Sequence, residues 1–147
     1  MEKKKILLIE DETELVEIYE EVFKKFGFEI ETLKWGSAAL ERLKEIGEEK
    51  TKKPDLILLD LILPDINGIK ILEKARAEEG TKDIPFFILT NYSDPELEKI
   101  GKELKVEKYV IKTEVTPIQL AQIIKKWFKN KNLSFHSKTL VSHSVKI

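Results

Sequence analysis

Leu56-Ile57-Leu58-Leu59-Asp60 is a run of apolar residues closed by a carboxylate, set inside the longer stretch Pro54-Asp55-Leu56-Ile57-Leu58-Leu59-Asp60-Leu61-Ile62-Leu63-Pro64-Asp65-Ile66-Asn67-Gly68. A short, unbroken apolar run suits a strand buried on both faces, as in a parallel sheet. Ile6-Leu7-Leu8-Ile9, Phe86-Phe87-Ile88-Leu89 and Tyr109-Val110-Ile111 repeat the pattern. Phe28 to Leu33 alternates apolar Phe28 and Ile30 with Glu29 and Glu31, which suits an edge strand with one wetter face. Between these runs apolar residues recur at three- and four-residue spacing: Leu15, Ile18, Tyr19, Val22, Phe23, Phe26; Ala39, Leu40, Leu43, Ile46; Ile69, Ile71, Leu72, Ala75; Leu97, Ile100, Leu104; and Ile118, Leu120, Ala121, Ile124, Trp127, Phe128. Asp94-Pro95 marks the start of the fourth helix, and Thr116-Pro117 with Gln119 marks the fifth. Strand and helix alternate five times, which predicts an α/β fold: a doubly wound, five-stranded parallel sheet in the order 2-1-3-4-5.

The chain's 147 residues suffice for one domain with a core. Hydrophobic residues at 41% and charged residues at 36% describe a soluble composition with a heavily solvated surface. A formal net charge of −1 gives no general attraction to nucleic acid or to anionic membranes. Cysteine is absent, which excludes disulfides, thiolate metal sites and a cysteine nucleophile, and makes the cytoplasm the expected compartment. The apolar run at Ile6 to Ile9 is too short for a signal-peptide core or a membrane span.

In a doubly wound sheet, ligands sit beyond the carboxyl ends of the strands. The first strand ends in Glu10-Asp11-Glu12, the third in Asp60, the fourth in Thr90 and the fifth in Lys112. Taken singly, an acidic helix entry, a turn aspartate, a strand-end threonine and a surface lysine are all ordinary. Together they deliver carboxylates, a hydroxyl and an ammonium to one edge. Carboxylates from Asp11 and Asp60 on adjacent strands repel each other, and a hard cation such as Mg²⁺ relieves that repulsion. Such a cation also neutralises charge in phosphoryl transfer, with Asp60 as nucleophile, Lys112 as positive point charge and Thr90 as hydroxyl donor.

With these residues in place, the chain resembles the response-regulator receiver family from about Lys4 to Phe128, most specifically in Ile6 to Glu12 and Pro54 to Gly68. The resemblance implies a flavodoxin-like receiver fold over residues 1–129 and a phosphorylation-dependent switch in a two-component phosphorelay. It places the phosphoacceptor on Asp60, the switch hydroxyl on Thr90, the switch aromatic on Tyr109 and the lysine on Lys112. It assigns Mg²⁺ or Mn²⁺ to Glu10 (partly through water), Asp11, Asp60 and the backbone carbonyl of Ile62. Phosphorylation would draw Thr90 toward the phosphoryl group, turn Tyr109 inward and reshape the helix 4–strand 5–helix 5 face. That face, with Leu97, Ile100, Gly101, Leu104 and Tyr109, is the expected partner surface. A histidine kinase or phosphotransfer protein would supply the phosphoryl group. The chain itself would not be a multiple-turnover enzyme. The resemblance leaves open a monomer or a phosphorylation-dependent dimer. Leu63, Asn91 and Thr113 depart from the common pattern, the last where proline is frequent, so a different loop after strand five is expected.

Three other readings compete. A receiver-fold interaction module that needs no phosphate would not require Glu10, Asp11, Asp60, Thr90 and Lys112 together. A haloacid-dehalogenase-type phosphatase would need a second aspartate after the first strand, where Glu12 and Thr13 stand. A flavodoxin-like cofactor carrier would need a Ser/Thr/Gly-rich phosphate loop there. The tail from Asn130 to Ile147 is expected to be flexible, with a short strand at Thr139 to Val141, and too short for a DNA-binding output domain.

Overall fold

The computed structural model describes residues 2–136, with side chains up to residue 132. The elements alternate as β1 (Lys5–Ile9), α1 (Thr13–Lys25), β2 (Glu29–Leu33), α2 (Gly36–Gly47), β3 (Leu56–Asp60), α3 (Gly68–Ala77), β4 (Phe86–Thr90), α4 (Pro95–Glu103), β5 (Lys108–Ile111), a 3-10 turn (Lys112–Glu114) and α5 (Pro117–His136). All neighbouring strands pair in parallel, in the order β2-β1-β3-β4-β5.

The uninterrupted apolar runs become the central strands because both of their faces are covered. Leu7, Ile9, Ile57, Leu59, Ile88 and Tyr109 point to one side, against Ala39 and Leu43 of α2 and Ile71, Leu72 and Ala75 of α3. Ile6, Leu8, Leu58, Phe87 and Val110 point to the other, against Val16, Tyr19 and Phe23 of α1 and Leu120, Ala121 and Ile124 of α5. β2 is the wet edge, since no residue of it is fully buried. It begins at Glu29 rather than Phe28. The Phe28 ring instead plugs the α1–α5 layer, edge-on to Phe23 at 6.4 Å and beside Phe128 at 6.0 Å.

The helix starts follow their caps. Asp94 accepts from the Glu96 and Leu97 N–H groups at 2.9 and 3.4 Å. In α5 the Thr116 hydroxyl accepts from Gln119 N at 3.1 Å, and the Gln119 side chain accepts from Thr116 N at 2.9 Å, a reciprocal capping box.

One expectation needs correction. The helix that was expected to end at residue 129 runs on to His136, so the first residues of the supposed tail are helical. Residues 137–147, including the strand expected at Thr139 to Val141, lie outside the described residues. In the region of the expected partner surface, Gly101 and Tyr109 are buried and Leu97, Ile100 and Leu104 are half-buried, Leu97 and Leu104 packing against the core. A nine-residue amphipathic helix has one apolar stripe, and α4 uses it for packing. Among the described residues of α4, β5 and α5, Ile118 is an exposed large hydrophobic, at 54%.

Candidate functional site

The register carries the strand tips to a common level. Ile9 pairs with Leu59, so the next step along both strands sets Glu10 beside Asp60. Asp60 pairs with Leu89, and Thr90 pairs with Ile111, so Lys112 leaves the sheet on the same edge. The sequence predicted this gathering of Glu10, Asp11, Asp60, Thr90 and Lys112, because a parallel sheet places every carboxyl end on one side.

Carboxylate oxygens of Glu10, Asp11 and Asp60 all lie within 4.8 Å of one another. Glu10 and Asp60 are buried, whereas Asp11 is exposed at the mouth. The Lys112 ammonium donates to Asp60 Oδ2 at 3.0 Å and, more closely, to Glu10 Oε1. The second Asp60 oxygen, Oδ1, accepts from the backbone N–H of Ile62 at 3.0 Å, and Glu10 Oε2 accepts from Glu12 N at 3.2 Å. Burial pushes the Glu10 carboxyl up to about 7; Lys112 pulls against that rise and the Asp60 charge adds to it. Burial disfavours the charge on Lys112, but hydrogen bonds and charges from Glu10 and Asp60 outweigh it and hold the ammonium above the ordinary lysine value.

Three carboxylates facing one ammonium leave an excess of negative charge in a partly dry cleft. An all-oxygen donor set with one ligand open to solvent fits a hard divalent cation that keeps part of its water shell. The residues present therefore fit Mg²⁺ or Mn²⁺.

Thr90 is buried at the rim, and its Oγ1 accepts a long bond, 3.5 Å, from Tyr92 N. That contact uses the oxygen as acceptor and leaves the O–H as a donor. Tyr109 already lies inside, 3% exposed, and its hydroxyl has no hydrogen-bond partner. Burial raises the phenol above its ordinary value, with Thr90 opposing the rise. Thr113, where a different loop was expected, lies in the single 3-10 turn that carries the chain from Lys112 to α5. No cis peptide occurs among the described residues.

Sequence reasoning passed over one group beside this site. Asp65 accepts from Gly36 N at 2.8 Å and Ser37 N at 2.9 Å, at the start of α2. The signal was indirect: α2 begins after Trp35, which has no capping side chain, so its first N–H groups needed a partner from elsewhere.

Comparison with known proteins agrees with this geometry. The response regulator receiver domain family matches residues 6–125. The DNA-binding response regulator MtrA of Mycolicibacterium smegmatis is 34% identical over 110 residues, covering 75% of this chain and 44% of MtrA. The chain thus spans less than half the length of that relative. Among solved structures, the phosphorylated cyanobacterial phytochrome response regulator RcpA superposes with a TM-score of 0.73 at 28% identity, covering 97% of this chain and 100% of RcpA. The Mn²⁺-bound response regulator Rcp1 gives a TM-score of 0.73 at 30% identity, covering 96% and 99%. No helix among the described residues is long and apolar enough to cross a membrane. With its strand order, its acidic cluster and these matches in agreement, the chain belongs to the response regulator receiver domain family of two-component signalling proteins.

Proposed function

We propose that this chain is a cytoplasmic signalling switch that takes a phosphoryl group on Asp60 from a histidine kinase or phosphotransfer protein. The observation that carries the reading is the setting of Asp60: buried, bonded to Lys112 at 3.0 Å, and within 4.8 Å of Glu10 and Asp11. Asp60 Oδ attacks the phosphorus, the bond from phosphorus to the donor nitrogen breaks, and an acyl phosphate forms. Lys112 lies where it can neutralise a phosphoryl oxygen, and the Thr90 O–H can donate to another. Glu10, Asp11, Asp60 and the Ile62 carbonyl would hold Mg²⁺ or Mn²⁺, which supplies charge neutralisation for the transfer.

Tyr109 lies buried behind Thr90, and its hydroxyl has no hydrogen-bond partner. Phosphorylation would draw Thr90 toward the phosphoryl group and reshape the α4–β5–α5 face beside Tyr109. A downstream protein would read the outer α4–β5–α5 surface, either on a monomer or on a phosphorylation-dependent dimer. Contact with nucleic acid or membrane is not part of this role, and neither is multiple turnover on an external substrate.

Incubation with a small-molecule phosphodonor and Mg²⁺ tests the reading by intact mass. Wild type should gain one phosphoryl group and Asp60→Asn none. No gain in wild type, or equal gain in both, would leave a phosphate-independent interaction module as the better account.

A further inference from the structure

The segment between β3 and α3 folds back as a small hairpin. Ile62 and Asn67 form an isolated antiparallel bridge, and Gly68 N donates to Leu61 O at 2.8 Å. Position 68 has no room for a side chain: a Cβ there would lie 2.6 Å from Leu61 Cα and 2.7 Å from Asp60 O. The base of the hairpin is thus fixed to Asp60, both here and through the Ile62 N–H bond to Asp60 Oδ1 at 3.0 Å.

Its tip is held differently. Asp65 bridges to α2, accepting from Gly36 N at 2.8 Å and Ser37 N at 2.9 Å. The fit is close, since a Cβ on Gly36 would lie 2.8 Å from Ile66 Cβ and 3.1 Å from Asp65 Oδ1. One carboxylate therefore satisfies donors of a helix lacking its own cap and ties down the loop that carries Ile62.

We propose that Asp65 is a positioning residue for the divalent-cation site: by clamping the hairpin tip to α2 it holds the Ile62 backbone carbonyl at the acidic cluster. This rests on the cation reading given above. Asp65 does not touch the cation. It restricts the one ligand that comes from a loop backbone, as outer partners commonly do for metal ligands.

Calorimetric titration with Mg²⁺ at constant ionic strength tests it. Asp65→Ala should weaken Mg²⁺ binding roughly three- to tenfold, at the low end of outer-partner effects because the bridge is exposed. Asp65→Asn keeps one acceptor oxygen and should recover most of the affinity. Gly36→Ala leaves Asp65 in place but pushes the tip away, and should also weaken binding, which keeps the test open if Asp65→Ala does not fold. Thr81→Val is the stability control: it removes a buried hydroxyl bonded to Ala75 O at 2.7 Å, in the segment leading into β4 at the opposite end of the sheet. Its Mg²⁺ affinity should match wild type. Unchanged affinity in Asp65→Ala, or equal weakening in Thr81→Val at a similar loss of melting temperature, overturns the inference alone. A wild type that takes up no Mg²⁺ overturns the cation reading and this inference with it.

Discussion

Asp60 sits beside Glu10 and Asp11 with Lys112 as the cation bonded to it, so without a divalent ion the folded state carries carboxylate repulsion that the unfolded chain lacks. Neutralising that position should stabilise the protein. In EDTA, Asp60→Asn is expected to raise stability by about 1 kcal/mol, or roughly 3–5 °C in melting temperature for a domain of this size. The loss of one acceptor among Asp60's two hydrogen bonds keeps the gain small. Saturating Mg²⁺ should stabilise wild type by more than it stabilises the variant, because only wild type presents the full set of carboxylates. Differential scanning calorimetry in EDTA and in Mg²⁺ checks both halves. A variant that melts below wild type in EDTA would mean that the hydrogen bonds of Asp60 outweigh the repulsion. Asp60 and Lys112 were legible in the sequence because each directly follows an apolar run, and parallel pairing sends all such tips to one edge. Asp65 was not legible as a clamp, because its partners lie 29 and 28 residues away and only the packing of the hairpin on α2 brings them together.

Among the elements, β2 has a single neighbouring strand and no fully buried residue, so an ion-pair network does much of its anchoring to α2. Arg42 grips Glu31 through two nitrogens, Nε at 2.8 Å and Nη2 at 3.1 Å, and Lys5 reaches the same carboxylate at 3.2 Å. Burial pushes Glu31 up, but the hydrogen bonds and charges of Arg42 and Lys5 outweigh it and hold the carboxyl below its ordinary value of 4.5. A carboxylate lowered by folding stabilises the native state above its unfolded value, and that contribution disappears as pH falls through the folded value. Glu31→Gln should therefore cost about 1 kcal/mol at neutral pH. The gap to wild type should close as pH drops below 4.5, as followed by urea denaturation at each pH. A gap that persists at low pH would assign the loss to packing instead of charge. At the other end of the chain, Thr116→Ala removes half of the α5 capping box and should cost about 1 kcal/mol by the same measurement. That cap was readable from Thr116-Pro117 and Gln119. The run of α5 on to His136 was not, since Lys129 to Asn132 offer no apolar stripe to extend the pattern.

Across the whole molecule, stability is distributed unevenly, and the unevenness falls where the proposed switch operates. The central strands are buried along their full length, whereas α4 has nine residues and Gly101 as its one buried residue. Its N-terminal end follows Thr90 and is held by the Asp94 cap, but its C-terminal end is fastened from outside. Arg76 of α3 donates through Nε to Leu104 O at 2.7 Å and through Nη1 to Lys82 O at 2.9 Å and Ile84 O at 2.8 Å. Its guanidinium also lies 5.1 Å from the centre of the Phe86 ring. One side chain thus joins α3, the end of α4 and the entry to β4. A helix so held can tilt about its fastened C-terminal end while its N-terminal end follows Thr90. Amide hydrogen exchange should then show α4 opening at a lower free energy than β3 or β4, with protection increasing from Glu96 toward Leu104. Arg76→Met keeps much of the apolar stem but leaves these carbonyls without their charged donor. It should cost about 2–3 kcal/mol. It should also erase the gradient, so that the whole of α4 exchanges as fast as its first turn. Uniform protection along α4 in wild type, or a gradient that survives in Arg76→Met, would show that the fastening point lies in the packing of Gly101 against Val106 and Ile88 rather than in Arg76.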